Sequence, residues 1–164
     1  MGCLFLQGVR RMLPIHENLR GRVAVVTGGS GVLCSEMCRE LARHGVKVAI
    51  LNRTVKNGAK VAAEIDRQGG KATALAVDVL DRSSLEKAHG EIIRQWGRVD
   101  ILINGAGGNH PAATTEKETY GEKGAGRTFF DLETEGFGRV FDANFKGAFL
   151  ASQVFGPSLL KQKA

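Results

Sequence analysis

Val23-Ala24-Val25-Val26-Thr27-Gly28-Gly29-Ser30-Gly31-Val32-Leu33-Cys34 is the stretch whose reading decides the fold. Its first five residues, mostly β-branched, make a run too short for a buried helix and suited to a strand covered on both faces. The glycines then turn the chain. Within them, Gly29-x-Gly31-x-x-Cys34 is a G-x-G-x-x-G pattern with a small residue in third place. The first glycine makes the tight turn, and the second lets backbone N–H groups approach a pyrophosphate. The third small residue lets helix pack on strand, and the helix N-terminus adds partial positive charge. The pattern follows a strand and opens a helix, the context that gives it meaning.

Outward from this turn the alternation continues. Residues 32–44 read as a helix, with Leu33, Met37 and Leu41 as its inner stripe and Gly45 as its stop. A strand is expected over 46–51. Residues 55–68 form a second helix, with Ala59, Ala62 and Ile65 inward and Gly69-Gly70 as terminator. A third strand runs over 72–77. Asp81 or Ser83 caps the next helix, and Ser83-Ser84-Leu85-Glu86 fits a capping box. Leu85, Ala88, Ile92 and Trp96 are its stripe, Gly97 its end, and 99–103 a fourth strand.

Residues 105–130 are rich in Gly, Thr and Glu and lack a period, which predicts a long loop of functional use. From Asp131 to about Phe155 a helical period returns, with Phe137, Val140, Phe141 and Ala148 on the inward face. Gly156-Pro157 is expected to kink or end that helix. Apolar strands alternating with amphipathic helices imply an α/β, doubly wound parallel sheet. With right-handed crossovers its strand order is 3-2-1-4, that of an incomplete Rossmann fold. One domain over residues 13–164 accounts for the chain. Residues 1–12 read as a disordered extension, with Met12 as an alternative start.

Composition removes other classes. The net charge is +6, but Lys and Arg are scattered and aromatics are only 6%, so no nucleic-acid surface is expected. The cysteines, Cys3, Cys34 and Cys38, are odd in number and contain no C-x-x-C. Neither a disulfide scaffold nor a metal site is expected, and a reducing, cytoplasmic setting fits. No apolar stretch is long enough to span a membrane. After the second strand, an acidic residue would take a ribose 2′-hydroxyl and favour NAD. Asn52-Arg53 stand there instead. Arg53 can pair with a 2′-phosphate through a bidentate fork, so NADP is favoured over NAD.

Thr27-Gly28-Gly29, Asp78-Val79, Asn104-Gly105-Ala106-Gly107 and Asn144 stand in an order and spacing that resemble the short-chain dehydrogenase/reductase family over about residues 20–160. The resemblance implies hydride transfer on a nicotinamide cofactor. It implies that Thr27, Gly28, Ser30, Gly31 and Leu33 surround the pyrophosphate and that Asn52 and Arg53 meet the ribose. Asp78, with Val79, would hold the adenine amino group, and Asn104, Ala106 and Gly107 would line the cofactor. The departures are Val32 and Cys34, where the family pattern has glycines. Asn144 is the one member of the family's catalytic set present; in relatives it kinks its helix and holds a water linked to a catalytic lysine. Its place on the inward stripe, between Val140 and Ala148, also predicts a buried amide that needs partners.

The stretch Ile103-Asn104-Gly105-Ala106-Gly107-Gly108-Asn109-His110-Pro111, then Ala113-Thr114-Thr115, with Leu13-Pro14-Ile15-His16-Glu17-Asn18-Leu19, resembles the D-mannonate oxidoreductase (fructuronate reductase) branch of that family. That implies a small-molecule sugar-acid substrate such as fructuronate or mannonate, with Asn109, His110 and Thr114 as contacts. It also implies homo-oligomeric full-length relatives, with the 131–155 helix between subunits. The family's acid/base pair is a Tyr with a Lys four residues on, and a Ser orients the substrate. Here Tyr120 stands alone, with Gly124 four residues later. The chain therefore reads as C-terminally truncated, before its Ser and Tyr-x-x-x-Lys, with strand 99–103 left as an apolar edge. An enzyme by family, it has two alternatives as a separate polypeptide: a catalytically dead nucleotide-binding module, or the non-catalytic partner of a heteromeric enzyme.

Overall fold

Among the described residues, which are 15–117, 119 and 126–162 of a computed structural model, four parallel strands carry the fold. They are β1 (Val23–Thr27), β2 (Lys47–Asn52), β3 (Lys71–Ala76) and β4 (Ile101–Asn104). Their order is β3-β2-β1-β4, as the alternation predicts. Val25 faces Ala49 on one side and Leu102 on the other, which fixes the register at the centre. The expected extension over 1–12, Met12 and Tyr120 lie outside the described residues.

Five longer helical pieces complete the architecture: α1 (Val32–Arg43), α2 (Val55–Arg67), α3 (Arg82–Trp96), α4 (Thr134–Phe141) and α5 (Gly147–Leu160). The period-2 alternation of each strand sends its side chains to two separate cores. Ala24, Val26, Val48 and Ile50 meet Cys38 and Ala42 of α1 and Val61 and Ile65 of α2. Val23, Val25, Ala49 and Leu51 meet Leu85 and Ile92 of α3 and Val154 and Phe155 of α5. Each large aliphatic so buried contributes about 1.5–3 kcal/mol. This explains the unbroken apolar strands: neither face is left to water. β3 and β4 are the edges, and Ile101, Leu102 and Ile103 of β4 are only partly buried.

The α3 stripe is as expected, with Leu85, Ala88 and Ile92 buried and Trp96 packed against them, and so are Leu41 of α1 and Ala62 and Ile65 of α2; the rest of the α1 and α2 inner faces differs. On α1, Leu33 and Met37 are exposed, and Ser35, Cys38 and Ala42 are buried. The helix lies close to the glycine turn and to β2, where only small side chains fit. On α2, Gly58, Val61, Ala62 and Ile65 are buried and Ala59 is not. A Cβ on Gly58 would stand 3.1 Å from the Ile50 side chain, so that contact admits no methyl group without a shift. At the start of α3, Asp81 is the cap, its carboxylate accepting the Ser83 N–H at 2.9 Å. The expected capping box at Ser83 does not form, because Asp81 is the N-cap and Ser84 stands at N3, where a box needs Glu or Gln; Glu86 pairs with Arg82.

The expected helix over 131–155 is three pieces: α4, a π-helical turn over Asp142–Lys146, and α5. The extra residue of a π turn rotates everything after it. Phe137 and Phe141, expected inward, are exposed, and with Phe145 and Phe149 they make an outward aromatic row. The inward positions go to Gly136 and Gly147. Gly156-Pro157 neither ends nor splits α5, which runs to Leu160. Pro157 and Gln153, whose carbonyl loses its helical amide partner to the proline, are both exposed residues.

Candidate functional site

The loops at the carboxyl ends of the strands enclose a cleft of about 330 Å³. It sits where the strand order reverses, at the switch point beside β1. Its floor is the β1–α1 turn. Gly28 adopts φ +65°, and its N–H donates to the Leu51 carbonyl at 2.7 Å, tying the turn to β2. A Cβ there would fall 2.7 Å from the Gly105 carbonyl oxygen, so glycine is required both by conformation and by space. Gly31 is the N-cap of α1 and offers no capping side chain. The first N–H groups of α1 therefore have no side-chain cap, beside a cleft that Gly31 itself lines, and the helix dipole stands behind them.

The other strand ends close the walls. Thr27 is 2% exposed and lies beneath the floor. Its hydroxyl oxygen accepts the N–H groups of Gly105 and Ala106, both at 3.1 Å, which fixes the β4 exit against β1. At the end of β2, Asn52 is half-buried and Arg53 exposed. At the end of β3, the Asp78 carboxylate accepts the Leu80 N–H at 2.9 Å, and the Asp78 N–H donates to the Ser84 hydroxyl at 3.2 Å. Val79 packs beneath Gly147, where a Cβ would stand 2.8 Å from its Cγ2.

Asn144 lies in the π turn, on the side facing the β4 exit. Its Nδ2 donates to the Gly108 carbonyl at 2.7 Å and to the Val140 carbonyl at 2.8 Å, and its Oδ1 accepts the Gly108 N–H at 3.1 Å. The residue is exposed rather than buried, but its amide is fully partnered. The bond to Val140 competes with the helical ladder where the π turn begins. The pair of bonds to Gly108 clamps the loop that follows β4.

Of the residues singled out in the sequence, Gly28, Ser30, Gly31, Asn52, Arg53, Asp78, Val79, Ala106 and Gly107 line the cleft together. Thr27 supports it from below, and Asn104 is turned away, its amide donating to Ser152 at 3.1 Å. Leu33 is 75% exposed and does not line the cleft. Asn109, His110 and Thr114 stand on the following loop, bonded to one another rather than lining the cleft. Leu51, Val77, Leu80, Gly105 and Ala143 also line it. Leu51 and Val77 directly precede Asn52 and Asp78, so the strand-end rule alone could have found them. Among the described residues no group of three or more His, Cys, Asp or Glu gathers as a metal site, and no helix is long and apolar enough to cross a membrane.

A doubly wound parallel sheet with a bare glycine turn at its switch point defines a Rossmann-type protein. Residues 22–164 match the short chain dehydrogenase family, and the chain belongs to it. It is 65% identical over 150 residues to the uncharacterized oxidoreductase UxuB of Bacillus subtilis (strain 168), covering 92% of this chain and 54% of the relative. A Haemophilus influenzae protein provisionally assigned as a D-mannonate oxidoreductase, solved with bound NAD, superposes with TM-score 0.82 at 39% identity. That match covers 86% of this chain and 51% of the other. A metagenomic short-chain oxidoreductase solved with NADP gives TM-score 0.70 at 25% identity, over 86% of this chain and 57% of that one. The chain thus spans about half the length of the relatives it matches.

Proposed function

We propose that the cleft holds a nicotinamide dinucleotide, NADP in preference to NAD, in the service of hydride transfer to or from a sugar acid such as fructuronate or mannonate. The observation that carries this reading is the N-terminus of α1, free of any side-chain cap, above a turn of bare backbone. Anions bind such a terminus through several N–H groups and the helix dipole together. The fit is steric as well: Gly28 and Gly31 bring no side chain to the floor, and a Cβ at Gly28 would collide with the Gly105 carbonyl.

In this reading the turn formed by Gly28, Ser30, Gly31 and Leu33 lies against the diphosphate, and Ser30 and Leu33 offer it N–H groups, those of Gly28 and Gly31 being bonded to the Leu51 and Gly28 carbonyls. Asn52 and Arg53 meet the adenosine ribose, where the Arg53 guanidinium supplies a fork for a 2′-phosphate. The free oxygen of Asp78 accepts the adenine amino group, with Val79 packed beside it. Asn104, Ala106 and Gly107 hold the far wall, with Thr27 fixing its height. The nicotinamide, when bound, supplies the hydride exchange. Asn144 holds the wall and the loop beyond it in register. Titration of the protein with NADPH and with NADH, followed by nucleotide fluorescence, tests the reading. NADPH is expected to bind more tightly, with Arg53→Ala closing the gap; failure of both to bind overturns it.

One sequence fact favours a second reading for these 164 residues taken alone. Their single tyrosine, Tyr120, has Gly124 four positions on, so they contain no Tyr-x-x-x-Lys. On their own they bind nucleotide without turnover. NADPH oxidation in the presence of fructuronate would contradict that reading.

A second copy of the chain is the partner this reading assigns. Phe137, Phe141 and Phe145 stack in succession and are 65%, 50% and 60% exposed. An aromatic row of this size facing water marks a contact surface.

A further inference from the structure

We propose that His44 is an acid-released latch: its neutral ring holds the segment before β1 against the amino edge of the sheet, and on taking up a proton it lets that segment go. His44 caps the C-terminus of α1 and is 5% exposed, a buried histidine at the edge opposite the cleft. Its Nδ1 accepts the His16 N–H at 2.9 Å. A nitrogen that accepts carries no proton, so the neutral ring has its proton on Nε2, which donates to the Glu40 carboxylate at 3.1 Å. Both ring nitrogens are then satisfied. The segment so held is short. His16 precedes the 3-10 turn Glu17–Leu19, Leu19 packs against the core shared by α1 and α2, and the Gly21 N–H donates to the Gly45 carbonyl at 2.9 Å. Residues 15–21 lie ahead of the stretch that matches the family, 22–164.

A proton on Nδ1 would set one N–H against another, because the His16 N–H already points at that nitrogen. The docked segment therefore has no place for a doubly protonated ring, whereas release leaves Nδ1 to water. The released form binds more protons, so release is favoured as pH falls. The surrounding charges do not reverse that sign. Hydrogen bonding to Arg43, with His44 adding to it, holds Glu40 down to about 2 against the effect of burial, so Glu40 stays ionised. Glu40 and Arg43 stand on the same helix as His44 and act on its ring in both forms. From the segment, the His16 ring lies 5.1 Å away, centroid to centroid, and its own proton in acid would repel that of His44. Glu17 and Arg20 pair with each other at 2.8 Å and offset one another. From α2, Glu64 is engaged by Arg39, Asp66 by the Ala72 N–H and Arg67 by the Ala63 carbonyl. From β2, Lys47 shares the parity of Ala49 and Leu51, which face α3 and α5 on the other side of the sheet.

The test follows the His16 amide of the full chain by hydrogen exchange, corrected for the intrinsic rate, at about pH 8 and about pH 5, the span in which histidine changes charge. Long-range ¹H–¹⁵N spectra of the histidine rings are recorded alongside. Wild type is expected to show His44 protonated at Nε2 alone at the higher pH and at both nitrogens at the lower. Protection of the His16 amide falls about tenfold between the two, the worth of one hydrogen bond. His44→Asn puts an amide oxygen near the Nδ1 position, an acceptor that takes up no proton, and keeps the protection at both pH values. His44→Ala lacks it at both. His16→Asn retains the backbone N–H and keeps the acid-dependent loss. Protection that holds in acid in wild type, that falls equally in His44→Asn, or that no longer falls in His16→Asn overturns the latch, as does a neutral His44 ring protonated at Nδ1.

Discussion

The sulphur of Cys34 stands where a Cβ on residue 105 would have to be. Cys34 fills the third small position of the glycine turn, and Gly105 begins the exit from β4, so two distant pieces of sequence share one volume. The Thr27 carbonyl oxygen, 2.9 Å from the same point, closes the space from the other side. Gly105→Ala is expected to destabilise the protein by about 1–3 kcal/mol through overpacking. Cys34→Gly in the same chain recovers part of that loss, because the thiol is the softer of the two obstacles. Urea denaturation of the two single variants and the double variant measures the coupling. Strict additivity would show that the two residues do not compete for space.

Asp100 makes stability depend on pH from the opposite end of the sheet. Its side chain is 3% exposed, and burial opposes its ionisation. The Arg98 side chain, the Val23 N–H at 2.8 Å and Arg22 at 3.1 Å outweigh burial and hold the carboxyl below the usual carboxylate range. A carboxyl depressed in the folded state stabilises above its unfolded pKa of about 4 and loses that contribution as pH falls through the folded value. Thermal midpoints are therefore expected to drop below about pH 4, and Asp100→Asn to cost about 1.5–3 kcal/mol at pH 7 with a flatter acid profile. An acid profile unchanged by the substitution would contradict the assignment.

The two described thiols differ in reactivity. Burial first, and the neighbouring Cys34 second, push the Cys38 thiol up to about 12. At pH 8 it is almost wholly protonated and shielded, whereas Cys34 is half-buried at the edge of the turn. Iodoacetamide followed by peptide mass spectrometry is expected to label Cys34 well before Cys38. Equal labelling rates would show that α1 opens more readily than its packing implies.

The aromatic row predicts association. Phe141 lies at its centre, stacked on Phe137 and Phe145 at ring separations of 6.4 Å and 5.0 Å. Phe141→Asp is expected to shift the sedimentation profile from dimer to monomer with little change in folding, since the side chain is half exposed. A monomeric wild-type chain would remove the second copy from the account.

The sheet was legible in the sequence because its signal is local. Short β-branched runs, each closed by glycine or a cap, can only be strands when helical periods separate them, and handedness then sets their order. The inner faces of the helices were less legible. Leu33 and Met37 follow an apolar period, yet close approach to the glycine turn decides which face of α1 is inward, and that favours Ser35 and Cys38. The same limit applies to Gly58 in place of Ala59. Phe137, Val140, Phe141 and Ala148 read as one core stripe, of which only Val140 and Ala148 are half-buried, and the π turn over Asp142–Lys146 carries no periodic sign. Its cause, the Asn144 bond to the Val140 carbonyl, becomes visible only when the loop after β4 is in place. In the candidate site, the residues at strand ends were found by position, but spacing does not encode that Asn109, His110 and Thr114 bond to one another instead of lining the cleft.

The central claim is that the turn from Gly28 to Leu33 holds a dinucleotide's diphosphate, through the N–H groups of Ser30 and Leu33 and not those of Gly28 and Gly31, which donate to the Leu51 and Gly28 carbonyls. An amide-resolved ¹H–¹⁵N titration with NADP+ tests it most directly. The account predicts saturable shifts that are largest at Gly28–Leu33, with smaller ones at Arg53, Asp78 and Ala106. Binding that leaves those turn amides unmoved, or no binding at millimolar nucleotide, would contradict it.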